Sequence, residues 1–230
     1  MLARVGPGTA LAFAATTVTL AAARRAGAAE SAGDVVRAGT LVLNAGLWWG
    51  FAGVTVFRRP PVRRGPWVQG ATLVGVASVA AAAVQPAGAV DIGWPQLLAS
   101  AAISLASLAL AIGALGRLGR CFGVLPDARG LVTGGPYRFV RHPLYVGEIG
   151  TFLSIAMAAP TPRNAAGLSA LVAAQAARAR LEEQTLRIAF PGYAEYAART
   201  PMLIPRISSL TRRRRRAASS DPLAVTAGGR

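Results

Sequence analysis

The chain is apolar and basic. Of its 230 residues, 53% are hydrophobic and 15% are charged, whereas soluble domains carry roughly a quarter of charged residues. All of its 25 basic residues are arginines, and with 9 acidic residues they give a net charge of +16. This balance alone would favour nucleic acid, but long uncharged runs exclude a DNA-binding domain and a disordered chain. We therefore expect no nucleic-acid partner. The chain has one cysteine, Cys121, and one histidine, His142, which are too few for a Cys/His metal site, so we also expect no metal.

The uncharged runs are long enough to cross a membrane. A crossing needs roughly 20 apolar residues, and Trp67 to Gly116 contains Asp91 as its only ionised side chain, so this stretch predicts two crossings. Pro and Gly clusters separate the runs, as they do where helices end. The sequence predicts an all-α, polytopic membrane helix bundle, with the last two of six spans forming a helical hairpin: 7–23, 38–57, 67–84, 94–116, 142–160 and 164–181.

The placement of arginine predicts the orientation, because positively charged loops near span ends stay in the cytoplasm. One side collects Arg4, the loop 58–64, the segment 117–141 and the whole C-terminus, whereas the other side receives four arginines. With six spans, both termini lie in the cytoplasm, and we expect a multi-pass protein of the plasma (inner) membrane. The first run also resembles a signal peptide superficially, so its cleavage after Ala23 is an alternative.

Composition divides the chain into three parts. Residues 1–116 are rich in Ala, Val, Leu and Gly and form the predicted four-span scaffold, whereas polar side chains suited to chemistry concentrate in 117–206. Residues 207–230 form a basic tail that we expect to be disordered. Its run Arg212–Arg216 favours contact with anionic membrane lipids, at about 1 kcal/mol per residue near the surface.

The His142-Pro143 pair predicts a helix start, because proline is tolerated in the first turn of a helix and disfavours helical backbone before it. His142 lies 18 residues before the turn 160–164, and Glu182 lies 18 residues after it. At about 1.5 Å per residue, both lie roughly 27 Å from the turn. His142 and the Glu182-Glu183 pair should therefore face each other at one membrane depth, beside a helix N-terminus able to hold an anion.

Other polar residues near this corner have two interpretations. Glu148 lies about two turns into its span and is either a functional acid or the partner of Arg141 or of a neighbouring helix. The segment around Tyr193 and Tyr196 predicts a short amphipathic helix, which either caps a pocket or only anchors the chain. Three pairs have the i,i+3 or i,i+4 spacing of one helix face: His142–Tyr145, Arg178–Glu182 and Glu183–Arg187. The last of these is either part of the site or simply an interfacial charge pair.

Two motifs in this region resemble the signatures of the isoprenylcysteine carboxyl methyltransferase family and its phospholipid methyltransferase relatives. The first runs from Arg129 to Gly147 and reads RGLVTGGPYRFVRHPLYVG. The second begins with Arg178-Ala-Arg-Leu-Glu-Glu and continues with FPGYAEY and Arg199-Thr-Pro. Together they cover roughly residues 117–206, under half of the chain, and they do not specify the acceptor.

The resemblance implies S-adenosylmethionine as cofactor and a lipid-soluble or prenylated small-molecule acceptor. It implies that Arg178 faces an acceptor carboxylate, with His142 as a second catalytic residue and Arg199 as a second substrate-binding residue. Arg178 can grip an anion bidentately, and Glu182 can neutralise the cofactor's amino group. The implied cofactor-binding residues are Arg129, Gly130, Leu131, Val132, Tyr137, His142, Pro143, Leu144, Tyr145 and Glu182.

A carboxylate acceptor needs no general base, because it is ionised at neutral pH, and we expect O-methyl transfer to an isoprenylcysteine-like acceptor. Three alternatives stay open. A phospholipid amine would first have to lose a proton, with His142 or Glu148 as the base. The second alternative is an NADPH-dependent enzyme like the sterol reductases, which is disfavoured because the Glu182-Glu183 pair would repel the phosphates of NADPH. The third is a non-enzymatic membrane scaffold, which is disfavoured because the reactive side chains cluster at one depth.

Overall fold

The computed structural model describes residues 32–84 and 92–205, with scattered positions between 12 and 27. Within the two continuous stretches the chain is all-α, as predicted, and its strand-like pairing is one isolated bridge between Arg63 and Ala128. Two 3-10 turns, Gly119–Cys121 and Gly135–Arg138, lie in the longest connection. The helices are α1 (Ala32–Val56), α2 (Trp67–Ala83), α3 (Trp94–Leu118), α4 (Pro143–Ala158), α5 (Pro162–Ala189) and α6 (Tyr193–Arg199).

The helices α1 to α5 coincide with the last five predicted spans, with shifted ends. Among the described residues, one helical stretch, Trp94–Cys121, is long and apolar enough to cross a membrane by itself. The helices α2 and α4 are apolar but shorter, so the count of six spans stays a prediction. The predicted first span, 7–23, lies largely outside the described residues, and the tail 207–230 lies wholly outside them.

Helix α5 is longer than the predicted span that it contains. The span was expected to end at residue 181, but the helix continues to Ala189. Its last two turns are held by the ion pair between Glu183 and Arg187, spaced i,i+4 at 3.2 Å, and a basic residue there also favours the helix dipole. Pro191 and Gly192 then separate α5 from α6, whose predicted helical form is confirmed.

Small residues bring α3 and α4 close together. The buried face of α3 includes Ser104, Ser107 and Ala111, and a Cβ on Gly147 of α4 would come within 2.8 Å of the Ser107 carbonyl oxygen. Ser100 also donates a hydrogen bond of 2.7 Å to the backbone of α4. Small faces with serine bonds are typical of closely packed membrane helices.

The two helices of the hairpin α4–α5 rest mainly on different neighbours. Helix α4 packs chiefly on α3, whereas α5 packs chiefly on α2, where Ala77 and Ala80 contact Leu171 and Ala174. Because the hairpin partners are held by other helices, they do not close on each other along their length. The space between them contains the site described below.

Replacing Gly147 by valine should destabilise the fold, because the new Cβ would lie 2.9 Å from the Ala111 Cβ as well as against Ser107. Overpacking of this kind costs about 1–3 kcal/mol, which should lower the midpoint of thermal unfolding in detergent. Gly53→Val is the matched control, since a Cβ there meets no atom within 4 Å. Equal midpoints for the two variants would contradict the close contact between α3 and α4.

Candidate active site

An open cavity of about 1410 Å³, including the space at its mouth, lies between α4 and α5. Helices α1 and α2 close its sides, through residues such as Phe51 and Ala77, and the segment 121–132 and α6 surround its polar end. The cavity therefore draws its walls from both the predicted N-terminal scaffold and the predicted catalytic region.

Two facing stripes of side chains line the cavity along the hairpin. Their members recur every three or four residues on each helix, which is the spacing of one helix face. Because the helices run antiparallel, the start of one stripe meets the end of the other. The stripe on α4 consists of Leu144, Tyr145, Glu148, Thr151 and Phe152, and the stripe on α5 consists of Leu171, Gln175, Arg178, Glu182 and Leu186.

His142 and the two glutamates meet where the stripes begin and end, as predicted. The His142 ring is buried, with Nε2 at 3.3 Å from Glu183 Oε1 and Nδ1 at 3.7 Å from Glu182 Oε2. Tyr145 stacks on the His142 ring, with ring centroids 5.5 Å apart, and donates a hydrogen bond of 3.1 Å to Glu182. A polar cluster from two helices thus occupies one end of the cavity.

Arg141 and Glu183 join three elements of this end. Arg141 Nε donates to Glu183 Oε1 at 2.7 Å, and its Nη1 donates to the carbonyl oxygens of Ala197 and Thr200 at 2.7 and 2.9 Å. Burial alone would raise the pKa of Glu183, but the hydrogen bond from His142 and the positive charge of Arg141 outweigh it and lower this pKa. Glu183 is therefore held as a carboxylate that ties α5 to the start of α4 and to α6.

Arg178 lies further along the cavity, above the Tyr145 ring at 5.0 Å from its centroid. Its guanidinium donates to Gln175 Oε1 at 2.8 Å and to the Val124 carbonyl oxygen at 3.0 Å. Gln175 in turn donates to the carboxylate of Glu148. These bonds hold the guanidinium at the cavity wall, and Glu148 has the neighbouring-helix partner that was one of its predicted alternatives.

The segment 127–132 is fixed by the loop between α1 and α2. Ala128 exchanges backbone hydrogen bonds with Arg63 and accepts one from the Val62 amide, and the Gly65 amide donates to Asp127 Oδ1 at 3.2 Å. Arg129 donates to Asp127 Oδ2 and to the Arg59 carbonyl oxygen, both at 3.0 Å. A loop outside both sequence motifs therefore determines where Arg129 lies.

Three tyrosines enclose the polar end of the cavity. Tyr193 and Tyr196 of α6 are buried beside it, and the Tyr196 hydroxyl donates a 2.6 Å hydrogen bond to the Tyr137 carbonyl oxygen. Burial raises the pKa of Tyr137, and the charge of Glu182 raises it further. Burial also raises the pKa of Tyr196 to about 12, so both phenols are neutral at physiological pH.

The cavity walls contain buried polar atoms without a protein partner. These atoms are Arg129 Nη1, Tyr193 Oη and Thr151 Oγ1, and all three residues line the cavity. A buried unpaired polar group is unfavourable by about 1–3 kcal/mol, so such atoms mark positions where a ligand can form hydrogen bonds. Within the described stretches, no group of three or more His, Cys, Asp or Glu side chains is placed to hold a metal ion.

The structure brings most of the predicted site residues to this cavity. Pro143 is buried but does not line it, and Arg199 lies outside it, with 72% of its side chain exposed and an ion pair to Glu195. Sequence reasoning missed the apolar walls from α1 and α2, which carry no motif, and the roles of Arg141 and Gln175. The predicted residues that line the cavity are Arg129, Gly130, Leu131, Val132, Tyr137, His142, Leu144, Tyr145, Arg178 and Glu182.

The region of the chain that forms most of this site is similar to known proteins. Residues 95–191 match the model of the phospholipid methyltransferase family, which agrees with the resemblance that the two motifs carry. The chain is also similar to the cobalt-zinc-cadmium resistance protein CzcN of Cupriavidus metallidurans, with 43% identity over 79 residues. That alignment covers 34% of this chain and 37% of the relative, so the chain spans just over a third of the length of the curated relative.

Replacing Glu183 by glutamine should destabilise the protein at neutral pH by about 2 kcal/mol, because a buried charge loses its partner. The lowered pKa of Glu183 means that its contribution is present above its ordinary value of 4.5 and is lost as pH falls through the folded-state pKa. The difference between variant and wild type, measured by thermal unfolding in detergent, should therefore shrink from pH 7 to pH 3.5.

The matched control is Glu195→Gln, which removes an i,i+4 pair to Arg199 that is exposed on both sides. Exposed pairs contribute about 0–1 kcal/mol, so this variant should unfold close to wild type at both pH values. A Glu183→Gln variant as stable as Glu195→Gln at pH 7 would refute the role assigned to the buried pair.

Proposed function

We propose that this protein transfers a methyl group from S-adenosylmethionine to the carboxylate of a lipid-soluble acceptor, isoprenylcysteine-like in character, at the cytoplasmic face of the membrane. The observation that carries the proposal is the cavity between α4 and α5, which joins a polar end around His142 and Glu182 to an apolar end around Phe152 and Leu171. Such a shape suits a polar donor and an amphipathic acceptor that meet between them.

The polar end fits the cofactor chemically. Arg129 Nη1 and Tyr193 Oη are buried without partners and can serve the cofactor's carboxylate and its hydroxyl groups. Glu182, with a side chain 32% exposed, can pair with the amino group, and the Tyr137 ring offers an aromatic face for a base or a sulfonium. When bound, S-adenosylmethionine would supply an electrophilic methyl group on a positively charged sulfur.

The residues of the chain would orient the acceptor and exclude water. Arg178 uses two of its five N–H donors on Gln175 and Val124, so its guanidinium is positioned while other donors stay available for a carboxylate. Reaction of a cationic donor with an anionic acceptor cancels both charges, and a dry site favours such a step. Positioning of the two groups would supply much of the remaining acceleration.

Placement in a membrane is supported by the outer surface of α3. Leu98, Leu105 and Ile112, each seven residues apart, are all more than half exposed. A stripe of exposed leucine and isoleucine on a helix long enough to cross a bilayer is expected to face lipid. Together with the one-sided arginines, this stripe supports the proposed six-span topology with the polar end of the cavity in the cytoplasm.

A phospholipid amine is the second candidate acceptor. It is favoured by the description of the matching family and by the carboxylate of Glu148 in the cavity wall, which could attract an ammonium or remove its proton. Under this alternative Arg178 would meet a phosphate rather than the methylated group.

When membranes that contain the protein are incubated with methyl-labelled S-adenosylmethionine, the labelled methyl group should appear in the lipid extract. Glu182→Gln should reduce this incorporation at least tenfold, because it weakens cofactor binding. Glu195→Gln is the control, since that carboxylate is exposed and remote from the cavity. Calorimetry in detergent should show binding of S-adenosylmethionine and none of NADPH. Incorporation that is unaffected by Glu182→Gln would refute the site, and preferential binding of NADPH would refute the reaction.

Arg178→Met should discriminate between the acceptors. With a long-chain carboxylic acid as acceptor, loss of the guanidinium should raise KM by roughly tenfold or more, because a bidentate charged contact is removed. If the acceptor is a phospholipid amine instead, wild type should methylate the phospholipid and not the acid, and the variant should lose affinity for the phosphate of the phospholipid. The assay compares initial rates for both acceptors at saturating cofactor, and equal KM for the acid in both proteins would contradict carboxylate recognition by Arg178.

A further inference from the structure

The hydroxyl group of Thr151 is an exception among the helical threonines whose side chains the structure describes. Thr19, Thr72 and Thr185 each donate a hydrogen bond to the carbonyl oxygen four residues earlier, at 2.7 to 3.1 Å, which satisfies a hydroxyl inside a helix. Thr151 is 2% exposed, and its Oγ1 has no hydrogen-bond partner. It lines the cavity, so its unused hydroxyl is available to a ligand there.

Two further polar side chains lie beside Thr151. Glu148 is on the same helix face, one turn away at i,i+3, or about 4.5 Å along the axis. Gln175 of the facing helix is 2% exposed and donates to the Glu148 carboxylate. We call Glu148, Thr151 and Gln175 the polar band, because the three residues cross the cavity from α4 to α5.

The polar band lies between the site proposed for the methylated group and the apolar end. On one side is Arg178, three residues from Gln175 on α5, and on the other side are Phe152 and Leu171. A purely hydrocarbon chain attached to a carboxylate at Arg178 would pass this band and leave the Thr151 hydroxyl unpaired. Such a mismatch is unfavourable by about 1–3 kcal/mol.

We propose that the polar band is an acceptor subsite for a hydrogen-bond-donating group, a hydroxyl or an amine, located within a few atoms of the methylated carboxylate. The carboxyl oxygens of Glu148 offer more acceptor positions than the one that Gln175 uses, whereas the Thr151 hydroxyl can both donate and accept. The inference rests on the proposed function, and it defines the acceptor as a polar-substituted lipid acid rather than a simple one.

The test compares two probes with the same chain and carboxylate, hexadecanoic acid and 3-hydroxyhexadecanoic acid. Binding to the purified full-length protein in detergent can be followed by the change in tryptophan fluorescence, because Trp48, one of four tryptophans in the chain, lines the cavity. The hydroxy acid should bind wild type about tenfold more tightly, as expected for one added hydrogen bond. Thr151→Val should reduce this ratio at least threefold, because the variant lacks the hydroxyl.

Thr55→Val is the matched control. Thr55 is also 2% exposed, but its hydroxyl donates to the Ala52 carbonyl oxygen at 2.7 Å and the residue does not line the cavity. This variant should therefore keep the tenfold ratio, even where it lowers stability.

Three outcomes would overturn the proposal. Wild type could bind the two acids with equal affinity, it could bind neither acid, or the ratio of affinities could be unchanged in Thr151→Val. These outcomes are distinguishable from failure of the proposed function, because the polar band is tested by a binding ratio without cofactor. The methyl transfer is tested separately by incorporation of label.

Discussion

The site depends on the ion pair between Arg141 and Glu183. These residues are 42 positions apart, and Arg141 also binds two carbonyl oxygens at the end of α6. One guanidinium therefore joins the start of α4, the last turns of α5 and the C-terminal side of α6. Together with the hydrogen bonds from Tyr145 to Glu182 and from Gln175 to Glu148, this ion pair keeps the start of α4 beside α5. Elsewhere the two helices pack chiefly on different neighbours.

The same division of packing creates the cavity. Glycine and alanine bring α4 against α3 and α5 against α2, so the closest helix contacts lie outside the hairpin rather than within it. The hairpin turn joins the two helices at one end and the ion pair joins them at the other. Between these ends they pack on different neighbours, which leaves the space that forms the cavity. The buried ion pair is thus useful for position more than for stability, since a buried pair of this kind seldom contributes a large net free energy.

Local sequence signals predicted the part of the site that lies on the hairpin. Proline after His142 marked the helix start, and equal distances from the turn placed Glu182 beside it, because helix rise is constant. The hydrogen bond from Arg129 to the Arg59 carbonyl oxygen was not predictable, because it joins two loops that come together only when the whole helix bundle is packed. Arg199 shared a motif with site residues, but a short helix has two faces, and its tyrosines occupy the buried one.

The position of each wall relative to the family match bears on selectivity. The polar end is built from residues 121–196, mostly inside the region that matches the family model, 95–191. The apolar end is completed by α2, where Ala77 packs with Leu171 and Phe152, and α2 lies wholly before that region. Helix α1 also lies before it, but its Phe51 packs on Phe122 and Tyr137 beside the polar end. A reaction that is common to a family requires a polar end that varies little between its members. Helices that touch only the chain of the acceptor can vary, and such variation changes which acceptor is bound. Under the proposed function, the small side chains of α2, such as Ala77 and Ala81, would set how wide an acceptor chain the cavity admits, and the polar band on α4 and α5 would set which substituent that chain carries near its carboxylate.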